Sequence, residues 1–507
     1  MKNENSINLS NSLKLQQRAD RQHSRYKLTA SERIEILVDP GSFIEIDSLV
    51  VHRCNEFGLS DQHYKGDGVI VGYGKVNNRL IAICSQDFTI FGGSFGEMHA
   101  RKVHKIQDMA LKAKIPIVFM NDSGGARIQE GVDSLGGYGE AFMRNVKSSG
   151  VIPQISVIMG PCAGGAVYSP GLTDFIFMVS GTSYMYVTGP DVVKNVTHEI
   201  VNHEKLGGSK VHSTKSGVCD AVFDDDIECL LQIRRLINFL PMSNSSPVPV
   251  LPSKDSPDRI SPSLDKIVPD DSIKPYNMMN IIQKLVDEDG DFFEIKKDFA
   301  QNIITGFSRI DGSAIGIVAN QPLHMAGCID INASIKAARF IRFCDAFNIP
   351  ILTLVDVPGF LPGTNQEHNG IIIDGAKLIF AYAEATVPKV TLIVRKAYGG
   401  AYIVMGSKHL GGDIVLSWEN AEIAVMGADA AVSILYKNQL SAKDKSTKIS
   451  DYKQKFATSK IAASRGFIDD VILHPRNTRR AICNAFEILK NKKDTNQFWK
   501  KHDNLPL

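Results

Sequence analysis

Apolar side chains recur at helical spacing over 98–113 (MHARKVHKIQDMALKA). They do so again over 332–347 (NASIKAARFIRFCDAF), where Ile335, Ala338, Phe340, Ile341 and Cys344 share one face. Each run passes into a short β-branched stretch, KIPIVFMND at 114–122 and NIPILTLVD at 348–356. Two further apolar runs, ISVIM at 155–159 and VTLIV at 390–394, end in paired glycines within CAGGAVY (162–168) and KAYGGAY (396–402). Strand, tight glycine turn, helix, strand predicts an α/β fold with largely parallel pairing and crossover helices. Active sites in such sheets gather where strand C-termini enter helices, and both Gly-Gly pairs stand at that kind of place.

These elements are written twice. Pro116 and Pro350, Asp122 and Asp356, Gly93 and Gly327, and Gly72 and Gly306 are each 234 positions apart. Pro153 and Pro388, and Gly164 and Gly399, are 235 apart. The lead-ins ILVDPGSFIEI (36–46) and KLVDEDGDFFEI (284–295) also match. Between the copies, eight of the 21 prolines crowd into 240–276, and proline neither donates to a ladder nor continues a helix. The expected organisation is an N-terminal domain over 1–240, a Pro-rich linker over 241–276 and a C-terminal domain over 277–507.

Composition narrows the function without choosing it. Lys+Arg 57 against Asp+Glu 55 leaves a formal charge of +2, so no global field points to nucleic acid or membrane. No apolar run reaches the roughly 18 residues of a spanning helix. The first twenty residues lack a signal-peptide apolar region, and Glu4 and Asp20 count against a transit peptide; the expected location is cytoplasmic. The eight cysteines form no C-x-x-C and read as small buried thiols, with no metal site.

The glycine loops carry the candidate chemistry. Without a Cβ the backbone approaches a bound oxygen closely, and N–H groups at a helix mouth favour developing negative charge. That is the geometry of an oxyanion hole. A phosphate cradle competes, but neither loop has G-x-x-x-x-G-K-[ST]. Close packing of helix on strand is the bland reading, and duplication would copy that need as well. DSGGARIQEG (122–131) and its counterpart DVPGFLPG (356–363) read as positioning loops rather than as sources of a catalytic Asp122 or Asp356. His324 and His368 are possible bases with no nucleophile paired to them, and no G-x-S-x-G elbow is present. Arg18, Arg21, Lys27 and Arg33 form a basic N-terminal cluster, read as solvated surface in preference to a nucleotide-phosphate contact.

NDSGGARIQEGVDSLGGYGE, GVIPQISVIMG, GPCAGGAVYSP, RKAYGGAYIVMGSKHLGGD and AEIAVMGADAAV resemble the carboxyltransferase (β) subunit of biotin-dependent acyl-CoA carboxylases, the propionyl-CoA carboxylase group. The similarity covers about residues 15–507, including the ending HDNLPL. It implies two crotonase-type domains, each with an oxyanion loop, in a homohexamer built as a trimer of dimers. The active site would lie between the N-domain of one subunit and the C-domain of its dimer partner. By motif match, Gly164 and Gly165 would hold the thioester oxygen of an acyl-CoA as it becomes an enolate, with Ala166 beside them. Gly400 and Ala401, with Gly399, would hold the ureido oxygen of biotin. CO₂ would pass from carboxybiotin to the α-carbon of propionyl-CoA or acetyl-CoA.

This chain has no A-M-K-M biotinylation motif, so the resemblance implies that biotin arrives on a partner, a biotin carboxylase or biotin carboxyl carrier (α) subunit. Propionyl-specific relatives usually carry Asp after G-G-A-Y, whereas Ile403 stands here; a pocket discriminates one methylene by only about 1–3 kcal/mol, and relaxed acetyl/propionyl choice is expected. The nearest alternative keeps the fold and reverses the flow, as a methylmalonyl-CoA transcarboxylase or decarboxylase subunit. A scaffold without chemistry is disfavoured by the two intact loops.

Overall fold

The computed structural model describes residues 16–287, 291–437 and 441–492; the ending HDNLPL and part of the second lead-in lie outside them. The chain divides into two compact units, the first running to Ser246 and the second starting at Pro247. Much of the proline-rich stretch belongs to the second unit. Leu264 and Tyr276 are buried in that unit's core, and Leu251 N–H donates to Gly312 O at 2.9 Å.

In the first unit the strands are β1 (Ile44–Ile46), β2 (Val69–Val76), β3 (Arg79–Gln86), β4 (Ile117–Ser123), β5 (Gln154–Ala163), β6 (Phe175–Val179), β7 (Tyr184–Tyr186) and β8 (Ala221–Phe223). The sheet order is β1-β2-β3-β4-β5-β6-β8, with β7 paired to β5. The second unit repeats this with β9 (Phe293–Ile295), β10 (Ile303–Ile310), β11 (Ser313–Asn320), β12 (Ile351–Val357), β13 (Lys389–Tyr398), β14 (Ile414–Trp418), β15 (Glu422–Ala424) and β16 (Asp470–Ile472). Its order is β16-β14-β13-β12-β11-β10-β9, with β15 on β13. Two tandem α/β domains of crotonase type, related by a repeat, are thus the architecture observed.

The duplication reaches the hydrogen-bond register. Ala82 pairs with Ile117 and Ile117 with Gln154; Gly316, Ile351 and Lys389, which stand 234, 234 and 235 positions further along, pair in the same way. β2–β3 and β10–β11 are antiparallel hairpins closed by Asn77-Asn78 and Asp311-Gly312, all four with positive φ, the requirement of a type I′ turn. Pairing from β3 through β6 is parallel. β5 is buried along most of its length, as expected of a sheet covered on both faces. The predicted helices form as Glu97–Ala113 and Ile331–Ala346. Ile106 and Ala110 of the first belong to the same core cluster as Ala82, Phe119 and Ile158.

One irregularity positions everything that follows. Between Asn121 and Ser123 β4 advances two residues while β5 advances four, from Ile158 to Cys162. Between Val355 and Val357 β12 advances two while β13 advances four, from Ile393 to Ala397. The residues left unpaired at this shift are Asp122 and Asp356 on β4 and β12, opposite 159–161 of β5 and 394–396 of β13. Beyond each shift the end of β5 or β13 gains a new neighbour: Pro161–Ala163 pairs with β7 and Lys396–Tyr398 with β15. These pairings extend the strands past the apolar runs that announce them, up to the glycines themselves.

Candidate active site

At the end of β5, Ala163 is extended and Gly164 takes φ +64°, opening the helical turn Gly164–Val167. At the end of β13, Tyr398 is extended and Gly399 takes φ +60°, opening the helix Gly399–Val404. The left-handed φ accounts for the first glycine of each pair. The second glycines differ. A Cβ on Gly165 would lie 3.3 Å from the Tyr138 ring, whereas one on Gly400 would meet only Phe360, at 3.9 Å. Packing therefore restricts position 165 and leaves position 400 open.

Residues that begin a helical turn have no acceptor within it for their N–H groups. No hydrogen bond among the described residues engages the N–H of Gly164, Gly165, Gly400 or Ala401. The structure thus brings Gly164, Gly165 and Ala166 together on one turn and Gly399, Gly400, Ala401 and Ile403 on the other, each within its own unit. Beside the second turn lies a cavity of about 510 Å³, walled by Gly400, Tyr402, Ile403, Tyr452 and Phe467, with exposed Arg465 also lining it. His409 lines it too, its ring 4.6 Å from that of Phe467. Ile403 is half-buried in this wall.

The side chains near the loops are committed elsewhere. The Asp122 carboxylate is fully buried and accepts from Lys27 Nζ at 2.7 Å and from Arg33 at 3.0 Å. Arg33 reaches Asp226 at 2.8 Å with its Nε. The expectation of a solvated basic cluster is therefore corrected for two of its four members. Lys27 and Arg33 are buried because two interior carboxylates require cations. Arg21 is exposed, and Arg18 lies over the Tyr64 ring at 4.4 Å. Asp356, also buried, accepts from Arg395 Nε at 2.9 Å and from Lys396 N–H at 3.1 Å. Burial raises its pKa above the ordinary aspartate value, and Arg395 opposes that rise. Cys162, two residues before the first pair, is no nucleophile. Burial, and then the nearby Asp122, push its thiol up to about 12, and Sγ–H donates to Ala166 O at 3.3 Å.

The Gly124–Gly131 loop is held by another buried group. Arg127 pairs with Asp67 at 2.7 Å and Glu130 at 2.8 Å. Asp67 in turn accepts from His99 N–H at 2.9 Å in the first turn of Glu97–Ala113. His324 and His368 are exposed. Sequence reasoning missed the aromatic wall of the second cavity. Tyr452 and Phe456, four apart in 441–467, were the available signal.

Residues 21–505 match the carboxyl transferase domain family. The propionyl-CoA carboxylase beta chain of Cereibacter sphaeroides is 60% identical over 97% of this chain and 96% of its own length. The methylmalonyl-CoA decarboxylase subunit alpha of Veillonella parvula is 53% identical over 97% of this chain and 96% of its own. A crystal structure of transcarboxylase 12S, a hexamer with methylmalonyl-coenzyme A and methylmalonic acid bound, superposes with a TM-score of 0.92 at 48% identity, covering 97% of this chain and 95% of that one. With its sequence matched almost end to end and its two glycine turns built alike, this chain belongs to the carboxyl transferase family.

Proposed function

We propose that the chain is the carboxyltransferase subunit of a biotin-dependent acyl-CoA carboxylase. It moves CO₂ from carboxybiotin to the α-carbon of a short acyl-CoA, propionyl-CoA or acetyl-CoA. The observation that carries this is the repeated turn whose first N–H groups are unengaged, placed at the end of a buried strand in both units. The first unit is the acyl-CoA side and the second the biotin side. Gly164 and Gly165 hold the thioester oxygen as negative charge develops there; Gly400 and Ala401 hold the ureido oxygen of biotin. Losing one such donor costs about 10²–10³ in rate.

Biotin reaches this chain on a biotin carboxylase or carboxyl-carrier (α) subunit, and as its carboxylated form supplies the CO₂. The largely apolar cavity of about 510 Å³ beside Gly400 suits an uncharged ring with one polar oxygen. The working assembly is a homohexamer, as in the 12S relative, and its location cytoplasmic. No helix among the described residues is long and apolar enough to cross a membrane. Ile403, in the cavity wall, goes with relaxed acyl choice. The decarboxylase relative supports a second reading, in which the same loops remove CO₂ from methylmalonyl-CoA.

The test mixes the purified protein with free biotin and, separately, malonyl-, methylmalonyl- and ethylmalonyl-CoA, following loss of the free carboxylate by chromatography. Biotin-dependent decarboxylation abolished by Gly164→Pro and by Gly400→Pro is expected. A folded hexamer that stays inactive even with a biotinylated carrier protein would sink the proposal.

A further inference from the structure

We infer that Asp122 and Asp356 are positioning residues, each setting where its glycine turn leaves the sheet. The inference rests on the proposed carboxyltransferase reading and adds to it two residues that touch no substrate. Each aspartate is the residue of β4 or β12 left unpaired at the register shift, facing the extra residues of β5 or β13, and each is gripped on three sides. Its N–H donates to a side-chain amide oxygen, Gln86 at 3.0 Å for Asp122 and Asn320 at 3.2 Å for Asp356. Its carbonyl lies so close to a glycine, Gly93 or Gly327, that a Cβ there would come within 2.2 or 2.6 Å of it. Its carboxylate is buried against an arginine.

The amide and the glycine are copied by the repeat, Gln86 with Asn320 and Gly93 with Gly327, both 234 apart. The arginine is not copied. Arg33 comes from the helix Ala30–Leu37, while Arg395 comes from β13 itself. Position 160, which corresponds to 395, is glycine, and a Cβ there would fall 1.9 Å from Asp122 Oδ1. Two unrelated places in the chain thus supply a guanidinium to the same point of the fold. Inheritance explains a copied residue but not a pairing made twice by different routes; a requirement at that point does.

The requirement is geometric. Immediately past the shift, Ser123 pairs with Cys162 and Val357 with Ala397, two residues before the respective Gly-Gly pairs. Fixing the aspartate fixes which residue of the strand end faces its neighbour, and so where the free N–H groups point. A misplacement of about 1 Å in such a site costs on the order of a hundredfold in rate.

The test uses full-length Asp122→Asn and Asp356→Asn in the free-biotin decarboxylation of methylmalonyl-CoA, with thermal unfolding recorded beside the kinetics. Asp122→Asn is expected to lower kcat/KM for the thioester about a hundredfold while barely moving the KM for free biotin. Asp356→Asn is expected to raise the KM for free biotin and leave that for the thioester. Loss of stability alone would not split the two constants in opposite senses. Should an asparagine variant fail to fold, Arg33→Lys or Arg395→Lys keeps the buried charge balanced while losing the forked grip, and the same split is read from it. Unchanged constants, or equal losses toward both substrates, overturn the inference. An inactive wild-type protein would instead overturn the carboxyltransferase reading on which it stands.

Discussion

In the first unit position 160 is glycine, and in the second the corresponding position, 395, is arginine. Around that exchange the two copies solve one problem differently. The first imports Lys27 and Arg33 from its N-terminal segment and balances them with Asp122 and Asp226, all buried. The second makes the pair locally, and Arg395 also donates to Lys274 O at 2.9 Å. A second contrast lies at the loop that follows β4 and β12. Arg127, Asp67 and Glu130 form a buried charged cluster in the first unit, whereas the equivalent of Arg127 is Leu361. His99 lies under that cluster, where the second unit has Ala333, equally buried. At these two positions the first unit places interior charge where the second has apolar side chains, although the second keeps buried ion pairs of its own, Arg479 with Asp255 and Asp287 among them. A shared backbone register does not require shared side-chain chemistry.

The largest effect that tests this contrast comes from Arg33→Met. It leaves buried Asp226 without its guanidinium and Asp122 with Lys27 alone, and breaking such a buried pair costs about 3–5 kcal/mol. Arg395→Met is expected to cost less, because Arg395 pairs with one carboxylate where Arg33 pairs with two, and its side chain is 11% exposed where that of Arg33 is fully buried. Urea denaturation of both variants measures the difference, and equal losses would erase it. Next, Ile403→Asp puts a carboxylate in the wall of the second cavity. It is expected to favour methylmalonyl-CoA over ethylmalonyl-CoA by about 1–3 kcal/mol, as the ratio of kcat/KM values.

A third comparison sets Gly165→Ala against Gly400→Ala. The first presses on the Tyr138 ring and is expected to cost about 1–3 kcal/mol of stability, as overpacking does. The second meets only ordinary contact at 3.9 Å and stays within about 0.5 kcal/mol. Adding Tyr138→Leu should relieve the first and not the second, as a double-mutant cycle would reveal.

The smallest effect is a pH slope. Burial, then the charges of Arg127 and Lys102, hold the His99 pKa well below its usual value. The unfolded chain then binds a proton below about pH 6.5 that the folded chain refuses, so stability present above that pH is lost as pH falls through it. His99→Ala, which copies the second unit, should flatten the change in urea midpoint between about pH 7 and 5. An unaltered slope would remove His99 from the account.

Much of this was legible in advance. The helices over 98–113 and 332–347 follow from apolar spacing, because a buried face must recur with the helical period. The glycine turns were readable because a left-handed φ at a strand end selects glycine. Lys27 and Arg33 were misread because a charged residue on a polar stretch looks solvated until the fold places a carboxylate beside it. Asp226, which completes that network, is 193 positions from Arg33. The wall of the second cavity was missed for a related reason: Tyr452 and Phe467 join Gly400 only through the tertiary fold.

The sequence by itself determined the duplication, the α/β alternation, the ends of the two key strands and the family resemblance, since each rests on residues close together or at a constant offset. The tertiary structure alone decided which cations are interior, which glycine of each pair is sterically required and what surrounds the second turn. Those depend on contacts between segments far apart in the chain, and no local period or spacing encodes them.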